Sequence, residues 1–406
     1  MTTSLTVEMN DGEDEMKDRL FKTIDEHSKE ILTMADYIFD NPELAFEEYK
    51  AMDVLTAYLE KNGFEVERGL GSLETAFRAV YGNPDSEKRI GLLCEYDALE
   101  ELGHGCAHHM QGPSILAAAV AAKEHLNPDS CRLIVYGTPG EEGGGGKIKM
   151  LEEGYFKDID VALMMHGGPA TQTDVKSLAA SSIKVTYHGV SSHAALKPEQ
   201  GRSALDALLL TFQGVEFLRE HVLEDTRMHY TVLDAGGPNN VVPARATGSF
   251  SLRSYNSFYL TKVVERFNQI VKGASLMTDT TYEIEVEKTL EGKVPALKLN
   301  EVLMENAVLV GAPSIKPARE KTGSTDFGNV MYVLPGSCIR VAFVDENASS
   351  HSVDFINDGK TDRGHAAVIY GAKILAGAVC DLVQDEGLLS EIQVEFEAQK
   401  ASLAKA

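Results

Sequence analysis

Cys131-Arg132-Leu133-Ile134-Val135-Tyr136-Gly137-Thr138-Pro139-Gly140-Glu141-Glu142-Gly143 runs from an apolar segment, through a Pro-Gly break, into two adjacent carboxylates. Residues 131–138 are short and carry β-branched and aromatic side chains, so they read as a buried strand. Thr75–Tyr81, Arg89–Glu95 and Asp160–His166 share that character, and helical spacing appears at 112–126 and 145–154. Strands alternating with helices predict an α/β domain, a mostly parallel sheet with helices on both faces. The ligand crevice of such a sheet lies beyond the carboxyl ends of its strands. Cys94-Glu95-Tyr96-Asp97, Pro139-Gly140-Glu141-Glu142 and Met165-His166-Gly167 all fall at such ends, so three separated segments are expected to meet there.

Outward from this core, residues 1–15 read as a disordered acidic leader. Helical spacing follows over Met16–Asp40 and Glu47–Asn62, broken by Asn41-Pro42. Near residue 180 the pattern changes to strand Ser182–His188, helix Ser203–His221, strands Met228–Leu233 and Thr247–Arg253, helix Leu260–Leu276 and strand Thr281–Lys288. This βαββαβ order is that of a ferredoxin-like split unit, and it reads as an insertion. Helix and strand alternation then returns, with the apolar run Ile339–Val344 and an amphipathic helix from Gly364 to Val383. The expected divisions are 1–179, 180–290 and 291–406, the first and last forming one domain.

With 406 residues, 43% of them apolar, the chain can supply a core for each of two domains. Its formal charge of −24 disfavours nucleic acid and anionic membrane surfaces. The same charge would draw in cationic substrates, or it serves solubility alone. No apolar run approaches the roughly 20 residues of a membrane span. The first twenty residues are acidic and polar, unlike a signal peptide. Five cysteines in so long a chain form no paired framework, which fits a reducing compartment, and a cytoplasmic location is expected.

Gly103-His104-Gly105-Cys106-Ala107-His108-His109 adds a thiolate and imidazoles to the strand-end acids. A lone loop histidine is ordinarily solvated or hydrogen-bonded, and an acid ahead of a helix is ordinarily explained by the helix dipole. Neither reading accounts for the coincidence of Cys106, His108, Glu142 and His166 at crevice positions, all of them types that hold borderline divalent metals. In extended backbone, Cys106 and His108 would project to one face. Two ionised neighbours, Glu141 and Glu142, would repel each other unless a dication lay between them. If one ligates, the other is free to act as a general base. The glycine run Gly143–Gly146 lacks the Gly-Lys-Ser/Thr ending of a phosphate loop and follows two carboxylates that repel phosphate.

These segments resemble metallopeptidase family 20, the aminoacylase and carboxypeptidase type, and within it the amidohydrolase branch with a cysteine ligand. CEYDAL with GHGCAHH is similar to that branch's strand-end acid and His-x-Cys-Gly-His motifs. TPGEEGGGGK is similar to its tandem glutamate loop and MMHGGP to its third ligand segment. SSHAALKPEQGRSALDA is similar to its lid histidine segment, and GGPNNVVP, Arg253, STDFGNV and ASSHS match further blocks. Among subfamilies the chain resembles p-aminobenzoyl-glutamate hydrolase, whose lid GRSALDA and EHVLEDTRMHY echo, and the β-alanyl-lysine type dipeptidase. The resemblance implies a two-metal peptidase domain with an inserted ferredoxin-like lid. It implies two divalent ions, Zn or Mn, held by Cys106, His108, Glu142, His166 and His351. Glu141 would be the acid/base, and Asp97 would orient a ligand. His193, Asn240 and Arg253 would reach the scissile carbonyl oxygen and the substrate carboxylate, with His193 from a partner subunit of a homodimer formed through the lid.

Two departures stand out from the family pattern. Ala107 replaces a glycine, which would strain the loop by about 1 kcal/mol if φ is positive there. His109 replaces the usual Asn or Asp, and would either donate a proton near the substrate or blunt hydrolysis. Gly168, where proline is frequent, is a milder change. The expected activity is hydrolysis of the amide in a small dipeptide or N-acyl amino acid. Amide formation at the same site, or a non-catalytic binding role on the same fold, are the alternatives.

Overall fold

The computed structural model describes residues 11–405. The chain forms two compact units. One comprises the chain up to Val175 with Val294–Glu320 and Asn329–Lys400; the other comprises Lys176–Lys293, Lys321–Gly328 and the chain from Ala401. The second unit therefore takes more than residues 180–290, because 321–328 and the chain end return to it.

In chain order the strands are β1 (Glu65–Leu70), β2 (Leu73–Gly82), β3 (Arg89–Cys94), β4 (Arg132–Gly137), β5 (Val161–Gly168), β6 (Asp174–Ser177), β7 (Ala179–His188), β8 (Arg227–Asp234), β9 (Arg245–Ser254), β10 (Thr281–Leu290), β11 (Arg319–Thr322) and β12 (Gly336–Ala342). The first four α-helices, all in the first unit, are α1 (Asp11–Asp40), α2 (Tyr49–Lys61), α3 (Gln111–His125) and α4 (Gly146–Glu152).

The six-stranded sheet has the order β1-β2-β4-β3-β5-β12. Its β4/β3, β3/β5 and β5/β12 pairs are parallel, while β1 and β2 add an antiparallel edge. The runs 89–94, 132–137 and 161–168 are buried almost throughout, as strands covered on both faces must be. β1 carried no such signal, because it is an exposed, mostly polar edge strand. Helix α1 begins at Asp11, so residues 11–15 are helical rather than part of a leader, and the remainder of that leader lies outside the described residues.

Helix α3 is buried from Gln111 to Ala122, and its alanines let its neighbours approach closely. The helix Asp362–Gln384 packs against α1 and α3. By length and apolarity it matches a membrane span, contrary to the sequence expectation, but it is mostly buried in the unit's core. That burial explains its composition.

The second unit follows the order β7, helix Ala204–Arg219, β8, β9, helix Ser257–Thr278, β10. Its antiparallel sheet has the order β10-β7-β9-β8, the arrangement of a ferredoxin-like split unit. Ile183, Val185, Tyr187, Phe250 and Phe267 form its separate core.

Ala107 is fully buried and adopts φ 63°, ψ 22°. A left-handed conformation costs a non-glycine residue about 1–2 kcal/mol. Ala107→Gly removes that cost, but loses about 0.8 kcal/mol for a buried methyl and about 0.5–1 kcal/mol of chain entropy. The variant is therefore expected within about 1 kcal/mol of the native chain. Ala117→Gly, at a buried helical position of α3, gains no such relief and should cost about 1.5–2 kcal/mol. Urea unfolding of the two variants checks this, and equal losses would contradict the strain at Ala107.

Candidate metal centre

The parallel strands β4, β3 and β5 lie side by side and end on one edge of the sheet. Beyond β4 stand Glu141 and Glu142, beyond β3 stands Asp97, and His166 lies near the end of β5. The loop ahead of α3 brings Cys106 and His108, and the segment after β12 brings His351. Ligand atoms of Cys106, His108 and His166 lie within 4.8 Å of one another. The same limit holds for Cys106, Glu142 and His351, and for His108, Glu141 and Glu142. These overlapping triads place all five expected ligands and Glu141 in one cluster.

Extended backbone is not what joins Cys106 to His108. Ala107 turns left-handed and His108 opens a short 3-10 turn, His108–Met110, so a tight turn aims both inward. Asp97 then fixes the geometry. Its Oδ1 and its main-chain carbonyl accept from His108 Nδ1 at 3.1 and 3.0 Å, and its Oδ2 accepts from the Glu142 N–H at 2.9 Å. His108 is thereby left with Nε2 as its ligating nitrogen. His166 donates through Nδ1 to the Gly167 carbonyl at 2.7 Å and has Nε2 3.7 Å from Cys106 Sγ. His351 has φ 62°, its N–H bonds the Gly105 carbonyl at 2.9 Å, and its Nε2 lies 3.2 Å from Glu142 Oε1.

The donor set fits a divalent metal. Glu142 Oε1 is buried without a hydrogen-bond partner among the described residues. Burial pushes the Cys106 thiol up to about 11 despite the nearby His108, so a cation would supply the charge that a thiolate needs. Burial alone would depress His108, but the Cys106 sulfur and the Asp97 hydrogen bond hold it well above its ordinary value.

Several partners of the cluster went unrecognised in the sequence. Glu95 is buried, with Oε1 2.6 Å from Lys147 Nζ, while Oε2 accepts from Gln111 Nε2 at 2.7 Å and lies 3.3 Å from His108 Nε2. Gln111 Oε1 in turn accepts the Glu95 N–H at 3.1 Å. Lys147 and Glu95 hold each other's charge in the interior, where either alone would be costly. Glu48 is also buried. Its Oε1 accepts from the N–H of Gly140, the residue before Glu141, at 2.9 Å, and its Oε2 accepts from Thr75 Oγ1 at 2.7 Å. The glycine run serves packing, since a Cβ on Gly144 would sit 1.9 Å from the ring of Phe46.

His109 is a correction to the substrate-facing role expected of it. It is buried beside Phe39, ring centroids 4.8 Å apart, and its Nε2 bonds the Gly359 carbonyl at 3.1 Å. Burial lowers its pKa to about 4, so it is a neutral packing residue. His193, Asn240 and Arg253 belong to the second unit. His193 and Asn240 sit on paired loops, with the Ala194 N–H bonding the Asn240 carbonyl at 3.0 Å. Exposed Arg253 lies at the other end of β9, its Nε 3.1 Å from Ser251 Oγ.

Residues 84–379 match peptidase family M20/M25/M40. The chain belongs to that family. It is 32% identical to a p-aminobenzoyl-glutamate hydrolase polypeptide of Escherichia coli, over 90% of this chain and 91% of that protein. It is 30% identical to Xaa-Arg dipeptidase of Mus musculus, over 95% of this chain and 93% of that protein. The fold matches a dinuclear metal-binding M20 peptidase of Bacillus subtilis at TM-score 0.68 and 16% identity, covering 89% of this chain and 99% of that one. It also matches an aminobenzoyl-glutamate utilization protein of Klebsiella pneumoniae at TM-score 0.67 and 18% identity, covering 89% and 98%. This M20 chain is a hydrolase of amide or peptide bonds.

Glu48 gives a pH test. Burial raises its pKa from 4.5 to about 7. Between those values the folded chain binds a proton that the unfolded chain does not, so stability falls as pH rises through about 7. Glu48→Gln, which keeps a carbonyl for the Gly140 N–H, should be more stable than the native chain at pH 8 by about 1–3 kcal/mol, and the gain should vanish toward pH 5. Denaturation of both proteins across that range measures it. A pH-independent difference would contradict the assignment.

Proposed function

We propose that the chain is a metal-dependent dipeptidase or amidohydrolase acting on a small dipeptide or N-acyl amino acid, with two divalent ions, Zn or Mn, at the cluster. The observation that supports this most is the convergence of Cys106, His108, Glu142, His166 and His351 beside Glu141. Cys106, His108, Glu142, His166 and His351 would hold the metal, which would supply Lewis acidity toward the carbonyl and lower the pKa of the attacking water. Glu141 takes the proton of that water and delivers it to the departing amine as the C–N bond breaks. Asp97 keeps His108 and the Glu142 backbone in place, so that the two glutamates divide the work. The relatives' names, one for p-aminobenzoyl-glutamate and one for Xaa-Arg dipeptides, support a substrate with an amino acid on the leaving side.

His193 and Asn240 stand near the Arg245 end of β9, and Arg253 stands at the opposite end. At about 3.4 Å per residue these ends are roughly 27 Å apart, more than one small substrate spans. A homodimer through the second unit, with His193 and Asn240 given to a second copy, reconciles their roles. Strand β8 supports it as an exposed sheet edge bearing Val232 and Leu233. All five cysteines are free, which suits a cytoplasmic setting.

Glu141→Gln fills nearly the same volume but cannot take a proton. It should keep metal and fold while lowering kcat by about 10²–10⁴-fold. Metal analysis combined with mass-spectrometric product detection on a dipeptide and acyl-amino-acid panel measures both and distinguishes hydrolysis from amide formation. More than a tenth of native turnover would overturn the role.

Cys106→Ser replaces a strong ligand with a poor one. Zn or Mn retained after dialysis should fall by at least about tenfold with little change in the unfolding midpoint of the metal-free protein. Unchanged metal affinity would make Cys106 a packing residue.

A further inference from the structure

Arg340 interrupts the apolar run of β12, with Ile339 and Val341 in the main core on either side. In the parallel pair β5/β12 it is the register partner of His166. Register partners in adjacent strands project from the same face, about 4.8 Å apart, so the guanidinium stem leaves the sheet beside a metal-cluster histidine. The backbone there is held from both sides. Arg340 N–H bonds the Gln172 carbonyl at 2.9 Å and Gln172 N–H bonds the Arg340 carbonyl at 3.1 Å, while β5 runs along the other edge. The stem crosses Gly168, where an added Cβ would lie 3.7 Å from Arg340 Cδ.

The head group is incompletely used. Its Nε donates to Asp174 Oδ2 at 3.2 Å, its one hydrogen-bond and ion-pair partner among the described residues. Asp174 is itself divided, since Oδ1 accepts from Arg319 Nε at 2.7 Å. The Arg340 side chain keeps 21% of its surface exposed. A guanidinium held through Nε keeps the end-on fork of its two Nη groups for another partner, and that planar fork matches a carboxylate.

We propose that Arg340 is a substrate-binding residue, whose Nη groups take a carboxylate of the substrate at the β5–β12 side of the metal cluster. The inference rests on the hydrolase reading above and assigns its substrate class: molecules with a carboxylate within reach of the scissile amide. Arg253, on the second unit, is then not required for that contact. The acidic surface acts at long range and is screened by salt, whereas Arg340 acts at contact, so a substrate with a cationic side chain and a free carboxylate satisfies both.

Two measurements test the proposal, with Arg340→Gln and Arg340→Lys. The first compares kcat and KM on an N-acyl amino acid and on its carboxamide, with metal content recorded for each variant. Arg340→Gln should raise KM for the acid by about thirtyfold or more, leave the carboxamide within about threefold, and leave metal content unchanged. Arg340→Lys, which keeps the charge and the Asp174 pair but loses the fork, should fall between.

The second measurement is calorimetric binding of N-acetylglycine and N-acetylglycinamide to metal-free protein, which needs no turnover. Native protein should bind the acid at least about tenfold more tightly than the amide, and Arg340→Gln should abolish that preference. If native protein turns over no substrate yet shows this preference, the hydrolase reading fails and the carboxylate site stands. Equal losses on acid and carboxamide, a preference that survives in a folded Arg340→Gln, or one undiminished in a folded Arg340→Lys, would overturn the proposal and leave Arg340 a positioning residue for His166.

Discussion

The site depends on one buried carboxylate, Asp97, bonded at the same time to a side chain and to a backbone. Its Oδ1 fixes the tautomer and tilt of His108, and its Oδ2 fixes the N–H of Glu142, so a segment after β3 aligns contributions from two other loops. An unpaired ionised carboxylate in the interior would be prohibitively costly, and each hydrogen bond that relieves that cost also restricts a ligand. The same logic recurs next door, where Glu95 is held by Lys147 and Gln111 and Glu48 holds the Gly140 N–H. Three carboxylates buried behind the cluster thus form its scaffold, and each engages the main chain or side chain of a segment that carries function.

Two of the left-handed non-glycine residues stand in the same place. Ala107 and His351 both have positive φ, and each lies in or beside the ligand set. Such conformations persist only where the surroundings over-determine them. Here Ala107 is enclosed completely, and the His351 N–H is tied to the Gly105 carbonyl at 2.9 Å. The two turns therefore deliver side chains that no regular strand or helix would bring to one point.

What was legible in the sequence follows from how loudly each physical cause speaks in one dimension. Strands β3, β4 and β5 are continuous apolar runs, so their existence, order of appearance and carboxyl-end residues could be read directly. β1 is exposed and polar and left no trace. Cys106, His108, Glu142 and His166 were visible because few residue types bind borderline metals, but the turn at Ala107 was visible only as a departure from a familiar glycine. His109 misled because imidazole next to a ligand reads as chemistry, whereas contact with Phe39 and the Gly359 carbonyl decides its role. Arg340 and Lys147 were missed for the opposite reason, since single charges in strands and helix starts look like surface, and Glu95 was placed at a strand end without a role. The available signal was local: Arg340 sits inside an apolar run, and a charge there needs a buried partner or a ligand.

The most direct test of the account is anomalous diffraction from crystals of the full chain grown with Mn²⁺ or Zn²⁺. The account predicts two peaks inside the cluster, with Cys106, His108, Glu142, His166 and His351 shared between them at about 2.0–2.4 Å. Density elsewhere, or none within reach of Cys106 and His108 at saturating metal, would contradict it.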